Sequence, residues 1–391
     1  MRVGSMLPLM TDTPTSIDTP AQLLGGLTPA QFMRRYWQKK PLVVRGAIPG
    51  FKPVLTRAAL FGLAAGDAAE SRLVWREDER WHLRQGPFKR LPPIKRGNWT
   101  VLVQGVDLHS DAARALLDRF RFVPDAQLDD LMISYAADGG GVGPHFDSYD
   151  VFLLQAHGRR RWRIGRQKDQ TLIEGLPVKI LARFEPEQEH VMEPGDLLYL
   201  PPGWAHDGVA EGECMTYSAG FRQPVRTELA REVLLRLADE CDGLMPEAVY
   251  RDPSQGAAAR PAEIPAAMAD FARAALDKAW AALNKNQVLL QYLGEALTEP
   301  KPMVWFDAPS EAGDTDQAGG FRLDRKTRML YGGTLVFING ESFRAGGADA
   351  ALLRQLADQR ALPASGCRRL SADARALLGQ WRDAGWLHGR G

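Results

Sequence analysis

The chain has 391 residues, 45% of them apolar, and a formal net charge of +1 at pH 7, which argues for two or three domains and against a dedicated nucleic-acid binder. Its three cysteines, Cys214, Cys241 and Cys367, are far apart and form no CxxC pair, which argues against a disulfide framework or a cysteine zinc site. No apolar run reaches the roughly eighteen residues of a membrane span and no secretory signal is recognisable, so a soluble cytoplasmic protein without membrane contact is expected.

The N-terminal half combines a loose start with a long strand-rich segment. Residues 1–20 are expected to be flexible, because their second half is rich in Thr, Ser, Asp and Pro. Residues 21–224 are expected to form a rolled antiparallel sheet. One of its expected strands, 131–135, is apolar apart from the polar residue Ser134. The glycine run 139–141 leads into a strand instead of opening a helix, which argues against a phosphate-binding loop there.

The pair His145 and Asp147, with His206 further along, has the composition of a metal site. Two histidines and one carboxylate hold a ferrous ion on one face and leave the opposite positions open. Residues i and i+2 of a strand point to the same side, so His145 and Asp147 can bind one ion while Phe146 points away. His206 follows at a distance that suits an early strand lying beside a late strand in a rolled sheet.

The segment after this pair predicts a hairpin with an unusual second strand. An apolar strand, the turn residues 156–158 and the basic strand 159–165 follow one another. In the basic strand Arg160 shares a face with Trp162 and Ile164, so its guanidinium is expected to point inward. Two interpretations stay open: a structural ion pair with an internal carboxylate, or a clamp for the carboxylate of a small cosubstrate.

Rigid turns precede His206. The turn 194–195 and the run 201–203, both of proline and glycine, flank a short apolar strand and place His206 at the start of another strand. The last strand expected in this region spans 214–221. This framework favours a ligand role for His206 over that of an ordinary histidine at a strand edge.

After residue 224 the pattern changes from strands to helices. Residues 225–299 predict amphipathic helices that must bury their apolar stripes against this chain or another, and one such stripe consists of Met268, Phe271, Ala275 and Leu276. A linker rich in Pro, Asp and Gly is expected at 300–319, followed by a compact mixed unit at 320–391. That unit contains the hairpin signal Asn339-Gly340 and a helix N-cap at Ser371.

Several of these segments together resemble the bacterial ribosomal oxygenases, a family of Jumonji-C enzymes. The motifs that carry the resemblance are 32–46, 139–147, 158–163, 194–196, 201–203 and 217–222. The resemblance implies an α+β fold, with a double-stranded β-helix (jelly-roll, cupin-like Jumonji-C) catalytic barrel at 21–224. It also implies a helical dimerisation domain at 225–299 and a winged-helix-like domain at 320–391.

The same resemblance implies the roles of the site residues. His145, Asp147 and His206 would hold Fe(II), leaving positions for 2-oxoglutarate and O₂. Arg160 and Ser134 would bind the distal carboxylate of 2-oxoglutarate, although a hydroxyl bonded to backbone is an equally good interpretation of Ser134. The implied reaction is hydroxylation of an arginine side chain in a large-subunit ribosomal protein, with release of succinate and CO₂.

A target arginine is a cation, so carboxylates, hydroxyls and aromatic faces near the metal are candidate substrate contacts. Asp138, Tyr149 and Ser218 are the candidates. Asp138 is equally explained as a turn residue, and Ser218 as a residue that packs inside the barrel.

Three alternatives to arginine hydroxylation stay open: a histidine target, a metal cupin acting on a small molecule, and a ribosome-assembly binder without activity. A small-molecule cupin usually has more histidines at its metal and needs no inward arginine. The expected partners are the ribosomal protein substrate and a second copy in a homodimer. Direct nucleic-acid binding is not expected, because the basic residues of the tail form only a thin cluster.

Overall fold

The computed structural model describes residues 16–285, 287–307 and 319–389. Packing divides the chain into two units, Met1–Gln223 and Pro224–Gly391. Residues 1–15 of the expected flexible start and residues 308–318 of the expected linker lie outside the described residues. Within the described residues, no helix is long and apolar enough to cross a membrane.

The described part of the first unit contains ten strands and three α-helices. The strands are β1 (Leu42–Val44), β2 (Ser71–Glu77), β3 (Arg80–Gln85), β4 (Trp99–Val103), β5 (Leu128–Ala136), β6 (His145–Phe146), β7 (Asp150–Arg166), β8 (Gln188–Met192), β9 (Leu197–Leu200) and β10 (Trp204–Phe221). The helices are α1 (Pro29–Arg35), α2 (Arg57–Ala65) and α3 (Asp111–Asp118). Each helix begins at a Ser or Thr whose side chain accepts a backbone N–H three residues on: Thr28, Thr56 and Ser110.

All ten strands join one antiparallel sheet built around β7 and β10. Their order is β1-β9-β7-β10-β5-β4-β2-β3, with β6 added to β10 and β8 added to β7. Strands β7 and β10, of 17 and 18 residues, pair along most of their length. Strand β6 places His145 directly opposite His206. The predicted arrangement, an early strand beside a late strand in an antiparallel roll, is confirmed.

The hairpin predicted at residues 156–158 is wrong, because β7 runs through them and both of its halves pair with β10. The turn residues belong to a β-bulge. Gln155 opposes Thr216 and His157 opposes the neighbouring Met215, so the alanine between the two β7 residues has no partner in the ladder. Glycine close to an alanine-histidine pair therefore marks a local irregularity and not a chain reversal.

Aromatic side chains fill the space between one face of the sheet and the N-terminal segment. Phe32 of α1 is fully buried, with its ring centroid 4.9 Å from that of Tyr199 on β9 and 5.4 Å from that of Phe152 on β7. The ring of Trp37 lies 5.3 Å from that of Phe221 at the end of β10. Burial of each such side chain contributes roughly 2 kcal/mol, so this core holds the two central strands firmly against the N-terminal segment.

The described part of the second unit contains seven α-helices and six short strands. The helices are α4 (Arg226–Asp239), α5 (Cys241–Leu244), α6 (Ala266–Leu283), α7 (Val288–Thr298), α8 (Gly347–Gln359), α9 (Ala364–Cys367) and α10 (Ala372–Asp383). The strands are β11 (Gly320–Leu323), β12 (Met329–Gly332), β13 (Leu335–Ile338), β14 (Glu341–Arg344), β15 (Ala361–Pro363) and β16 (Leu387–Gly389). They form two three-stranded sheets, β15-β11-β16 and β12-β13-β14.

The two local signals predicted in the tail are confirmed. Asn339 and Gly340 join β13 to β14, and both have positive φ, 48° and 91°, as a tight hairpin turn requires. Ser371 begins α10, and its Oγ accepts the backbone N–H of Ala374 at 3.2 Å.

Helix α7 packs directly on the sheet β12-β13-β14. Gly294 of α7 lies against the ring of Phe337, where a Cβ would collide with it. The backbone N–H of Gly340 donates to Thr298 Oγ1 at 3.1 Å. The expected domain limits assign α7 to the helical segment 225–299, whereas these contacts also tie it to the unit expected at 320–391.

The apolar stripe predicted on α6 is exposed in the single chain. Met268, Phe271 and Leu276 are all exposed, and the buried residues of this helix are Ala279 and Leu283. The latter two pack in one cluster with residues of α4 and α7. Met268 and Leu276 are therefore left uncovered by the described part of the chain, whereas Ala275 is partly buried and the Phe271 ring lies 5.7 Å from that of Tyr250.

Gly158→Ala is expected to destabilise the first unit, because Gly158 has a φ of +61° and a Cβ there would collide with the Glu213 carbonyl. Strain of this kind costs about 1–3 kcal/mol, which urea unfolding followed by circular dichroism will measure. Gly62→Ala is the matched control, since Gly62 lies in α2 with open space around it and alanine favours a helix. Equal unfolding midpoints for wild type and Gly158→Ala would contradict the bulge geometry.

Candidate metal and cosubstrate site

Three side chains from two neighbouring strands converge on one point. His145 lies on β6, Asp147 follows just beyond it, and His206 on β10 is paired with His145. The two imidazole centroids are 4.2 Å apart, and one ligand atom from each of the three residues lies within 4.8 Å of the others. His206 Nε2 is 3.7 Å from Asp147 Oδ2. Because a metal lies about 2.1 Å from each ligand atom, these separations suit one shared ion.

The backbone orients both imidazole rings for metal binding. In each histidine Nδ1 bonds the carbonyl two residues earlier, Gly143 O at 2.8 Å for His145 and Trp204 O at 3.0 Å for His206. A carbonyl only accepts, so Nδ1 carries the proton in each ring and Nε2 keeps its lone pair. Metal-binding histidines usually have such a partner on the second nitrogen. The site thus offers two imidazole lone pairs and one carboxylate, which fits a ferrous ion.

Burial keeps His206 in the form that binds metal. His206 is buried, and burial together with the neighbouring His145 lowers the pKa of His206 to about 4. A histidine ligand must be neutral, so at pH 7 this residue has no proton to lose before it binds an ion. His145 and Asp147 are only partly buried, which leaves the ligand set accessible from one side.

The glycine run before His145 lets the chain pass close to other strands. A Cβ at Gly141 would lie 2.6 Å from the carbonyl oxygen of Gly208 on β10, and one at Gly140 would collide with the carbonyl of Trp99 on β4. Only glycine tolerates so close an approach of backbone. The run therefore allows β6 to lie beside β10, and this pairing is what brings two of the three ligands together.

Arg160 is buried without an internal anion. The residue is 5% exposed, and its Nη1 donates to Ser134 Oγ at 3.3 Å while its Nε has no hydrogen-bond partner. Among the described residues, no carboxylate oxygen lies within 4.0 Å of this guanidinium. A buried cation is costly unless an anion joins it. The structural ion pair considered from the sequence is thus not found in this part of the chain, and a carboxylate clamp fits the geometry.

The flanking arginines lie on the opposite face of β7 and are held in ion pairs. The pairs are Arg159–Glu211, Arg161–Glu211, Arg161–Glu189 and Arg163–Asp207. A slip of one residue in β7 would turn these arginines inward and Arg160 outward. The ion pairs show that the slip does not occur.

The three predicted substrate contacts occupy different places. Tyr149 follows Asp147 closely and is 40% exposed, and the pKa of its hydroxyl is raised by desolvation and by the negative charge of Asp147. Ser218 is buried on β10. Asp138 Oδ1 accepts the backbone N–H of Gly212 at 2.7 Å. That bond ties Asp138 to β10 and does not join it to the metal ligands.

Trp162 lies next to the candidate site, although the sequence indicated only that it marks the inward face of its strand. The guanidinium carbon of Arg160 lies 5.5 Å from the Trp162 ring centroid, and that ring is 5.7 Å from the His206 imidazole. Gly208 faces Trp162 across the strand pair, where a Cβ would fall 2.6 Å from the indole. A glycine inside a strand signals such a close approach, and this was the available clue.

Two family models match the chain, one for each unit. A model described as a JmjC domain matches residues 115–229, and a model described as a ROXA-like winged helix matches residues 281–388. The second match includes α7, in agreement with the packing of that helix on β12-β13-β14.

Named relatives match over most of the chain. The sequence is 34% identical over 324 residues to the Escherichia coli protein named ribosomal protein uL16 3-hydroxylase, covering 81% of this chain and 83% of that protein. The X-ray structure of E. coli YcfD matches with a TM-score of 0.79 and 31% identity, covering 92% of this chain and 98% of that one. YcfD in complex with cobalt and 2-oxoglutarate matches with a TM-score of 0.76 and 31% identity, covering 93% and 99%. The predicted resemblance and the predicted fold class are confirmed, and the chain belongs to the JmjC-domain ribosomal oxygenases.

Proposed function

We propose that this protein is an Fe(II)- and 2-oxoglutarate-dependent dioxygenase that hydroxylates a ribosomal protein. The observation that carries the proposal is the buried guanidinium of Arg160, which has no internal anion among the described residues. Trp162 contacts both this guanidinium and His206, one of the two histidines that cluster with a carboxylate. The metal cluster alone would suit many cupins. The guanidinium adds a demand for a cosubstrate with a second carboxylate, and the similar E. coli YcfD has been solved with cobalt and 2-oxoglutarate.

The side chains have separate tasks in this reaction. His145, Asp147 and His206 hold the iron, which when bound supplies the oxidative step with O₂ and 2-oxoglutarate and leads to succinate and CO₂. Arg160 and Ser134 bind the distal carboxylate of 2-oxoglutarate. Trp162 covers the guanidinium and the buried imidazole from water. The chemistry needs no nucleophile from the protein.

The proposed substrate is an arginine side chain of the large-subunit ribosomal protein uL16, hydroxylated at carbon 3. The name of the E. coli relative, a uL16 3-hydroxylase, supports the protein and the position. Tyr149 lies close to Asp147 at the accessible side of the ligand set, where an aromatic ring suits a guanidinium. Ser218 is proposed to face the substrate from β10, and Asp138 to act from the turn after β5.

A second copy of this chain is the proposed partner of the exposed apolar face on α4 and α6. Leu276 is 70% exposed and Trp280 is 61% exposed, and Leu235 of α4 is exposed as well. Helices α4 and α6 share one buried apolar cluster, and exposed apolar side chains of this size on such helices are typical of a surface that another protein covers. The covering partner is a copy of the same helical segment, which makes residues 225–299 a dimerisation domain.

The remaining parts of the chain are assigned by the same proposal. Residues 21–224 are the catalytic barrel, residues 300–319 a linker and residues 320–391 a winged-helix-like domain that serves structure or protein binding and not direct nucleic-acid contact. A ribosomal protein substrate places the enzyme in the cytoplasm.

Purified protein with Fe(II), 2-oxoglutarate and recombinant uL16 is expected to release succinate and to add one oxygen to an arginine of uL16. Asp147→Ala removes the charged metal ligand. It should lower turnover by more than the roughly 10–100-fold that is typical when a residue beside a metal ligand is changed. Asp67→Ala, an exposed carboxylate, is the matched control and should stay active. Mass spectrometry of digested uL16 locates the oxygen: a modified histidine would replace the arginine proposal, and full turnover by Asp147→Ala would remove it.

Arg160→Ala is expected to raise the 2-oxoglutarate concentration needed for half-maximal turnover by about ten- to a hundredfold, because hydrogen bonds to a charged group contribute roughly 1.5–3 kcal/mol. Iron affinity, measured anaerobically, should not change, since Arg160 contacts none of the three ligands. Arg161→Ala, on the outer face of β7, is the control. An unchanged cosubstrate requirement in Arg160→Ala would show that another residue binds the distal carboxylate.

Leu276→Glu is expected to convert a dimer to a monomer, because a charge in the centre of an apolar contact cannot be solvated there. Sedimentation velocity at micromolar concentration measures the mass of each form. Lys278→Ala, exposed on the same helix, should leave the dimer intact. A wild-type chain that sediments as a monomer would refute the dimer proposal and leave the catalytic proposal untouched.

A further inference from the structure

Four buried polar residues of the barrel interior are linked by hydrogen bonds up to Arg160, and one of these links uses a main-chain carbonyl. Gln155 on β7 and Thr216 on β10 are each 1% exposed, although they lie among apolar strand residues. Thr216 Oγ1 donates to Gln155 Oε1 at 3.0 Å, and the Thr216 carbonyl accepts from Ser134 Oγ at 3.4 Å. Ser134 Oγ in turn accepts from Arg160 Nη1 at 3.3 Å. Four residues from three strands thus form one connected network.

The Gln155 amide also holds the bulge in β7. Its Nε2 donates to His157 O at 2.8 Å and to Gly158 O at 3.2 Å, two carbonyls on the far side of the bulge. Its Oε1 accepts from Thr216, so both ends of the amide are satisfied and only one orientation of the side chain fits. The bond from Thr216 therefore sets the direction of the two bonds that brace the bulge.

The bulge decides which arginine points inward. Before the bulge, Val151 and Leu153 of β7 pack in an apolar cluster on the same face of the sheet as Arg160, called the inner cluster here. Phe152 packs on the opposite face, in the aromatic core that covers the N-terminal segment. After the bulge, the inner cluster contains Trp162 and Ile164, so the inward positions have changed from odd to even numbers. One extra residue in a strand has this effect, because side chains alternate between faces. Without the bulge, the odd-numbered arginines would face the interior.

We propose that Gln155 and Thr216 are positioning residues for the cosubstrate. Through the bond between their side chains they brace the bulge, and the bulge turns Arg160 inward, so they aim its guanidinium at the distal carboxylate of 2-oxoglutarate. The inference rests on the proposed function, because it assumes that Arg160 binds this carboxylate. It adds two residues that touch neither iron nor cosubstrate and yet set the affinity for a dicarboxylate.

A positioning role and a merely structural role differ in which ligands they affect. A structural defect weakens the binding of every 2-oxo acid and lowers the unfolding midpoint. A misdirected Arg160 weakens only ligands with a distal carboxylate. The probes are therefore 2-oxoglutarate and 2-oxobutyrate, which share the 2-oxo acid group and differ in the second carboxylate.

The experiment is anaerobic titration of the full-length Fe(II)-loaded protein with each acid, followed by calorimetry. Thr216→Val, which removes the hydroxyl and keeps the shape, is expected to weaken 2-oxoglutarate binding about two- to tenfold and to leave 2-oxobutyrate binding unchanged. Thr216→Ser, which keeps the hydroxyl, should restore most of the affinity. Gln155→Leu should show the larger loss, because it removes all three bonds of the amide. Thr100→Val is the control, since this buried hydroxyl has no partner among the described residues.

The outcomes separate the two proposals. Equal losses for both acids, or no loss in Thr216→Val, would overturn the positioning role while leaving Arg160 as the anchor. If Arg160→Ala itself binds both acids like wild type, the proposed clamp fails, and the positioning role fails with it. Should Gln155→Leu not fold, the comparison of Thr216→Val with Thr216→Ser still decides the question.

Discussion

The pairing of β7 with β10 is the constraint on which the rest of the first unit depends. These strands carry Arg160, Trp162, His206 and Thr216, and β6 adds His145 at the edge of β10. Because main-chain hydrogen bonds set the register, each side chain has a fixed neighbour across the pair. The proposed metal ligands and the proposed carboxylate clamp therefore keep their mutual positions without direct contact between them.

This arrangement places polar groups where an ordinary small core would be apolar. Arg160, Gln155, Thr216 and Ser134 are all buried, and the guanidinium has no internal counter-ion among the described residues. The destabilising effect of such burial is offset on the other face of the same strands, where closely packed aromatic rings are part of the main core. One face of the sheet thus supplies stability and the other supplies chemistry. In the proposed function, the distal carboxylate of 2-oxoglutarate supplies the missing counter-ion on the second face.

In the second unit, one helix packs both with the other helices and with a sheet. Helix α7 packs with α4 and also lies on the sheet β12-β13-β14, so the helical segment and the winged-helix-like segment have no clean boundary at residue 299. Helix α6 buries only its C-terminal residues within the chain and leaves Leu276 and Trp280 exposed. The chain thus presents an apolar surface that its own described residues do not cover.

The amino-acid sequence by itself identified the proposed ligand set, since two histidines and a carboxylate, set among short strands and rigid turns, have the composition of a ferrous site. It also predicted that Arg160 shares a face with Trp162 and Ile164, because alternation is a property of the strand segment in which all three lie. The tertiary structure alone decided that residues 156–158 are a bulge and not a turn, and that Gln155 and Thr216 join the site. Glycine signals a turn and a bulge alike, and bonds between strands far apart in sequence leave no local pattern to read.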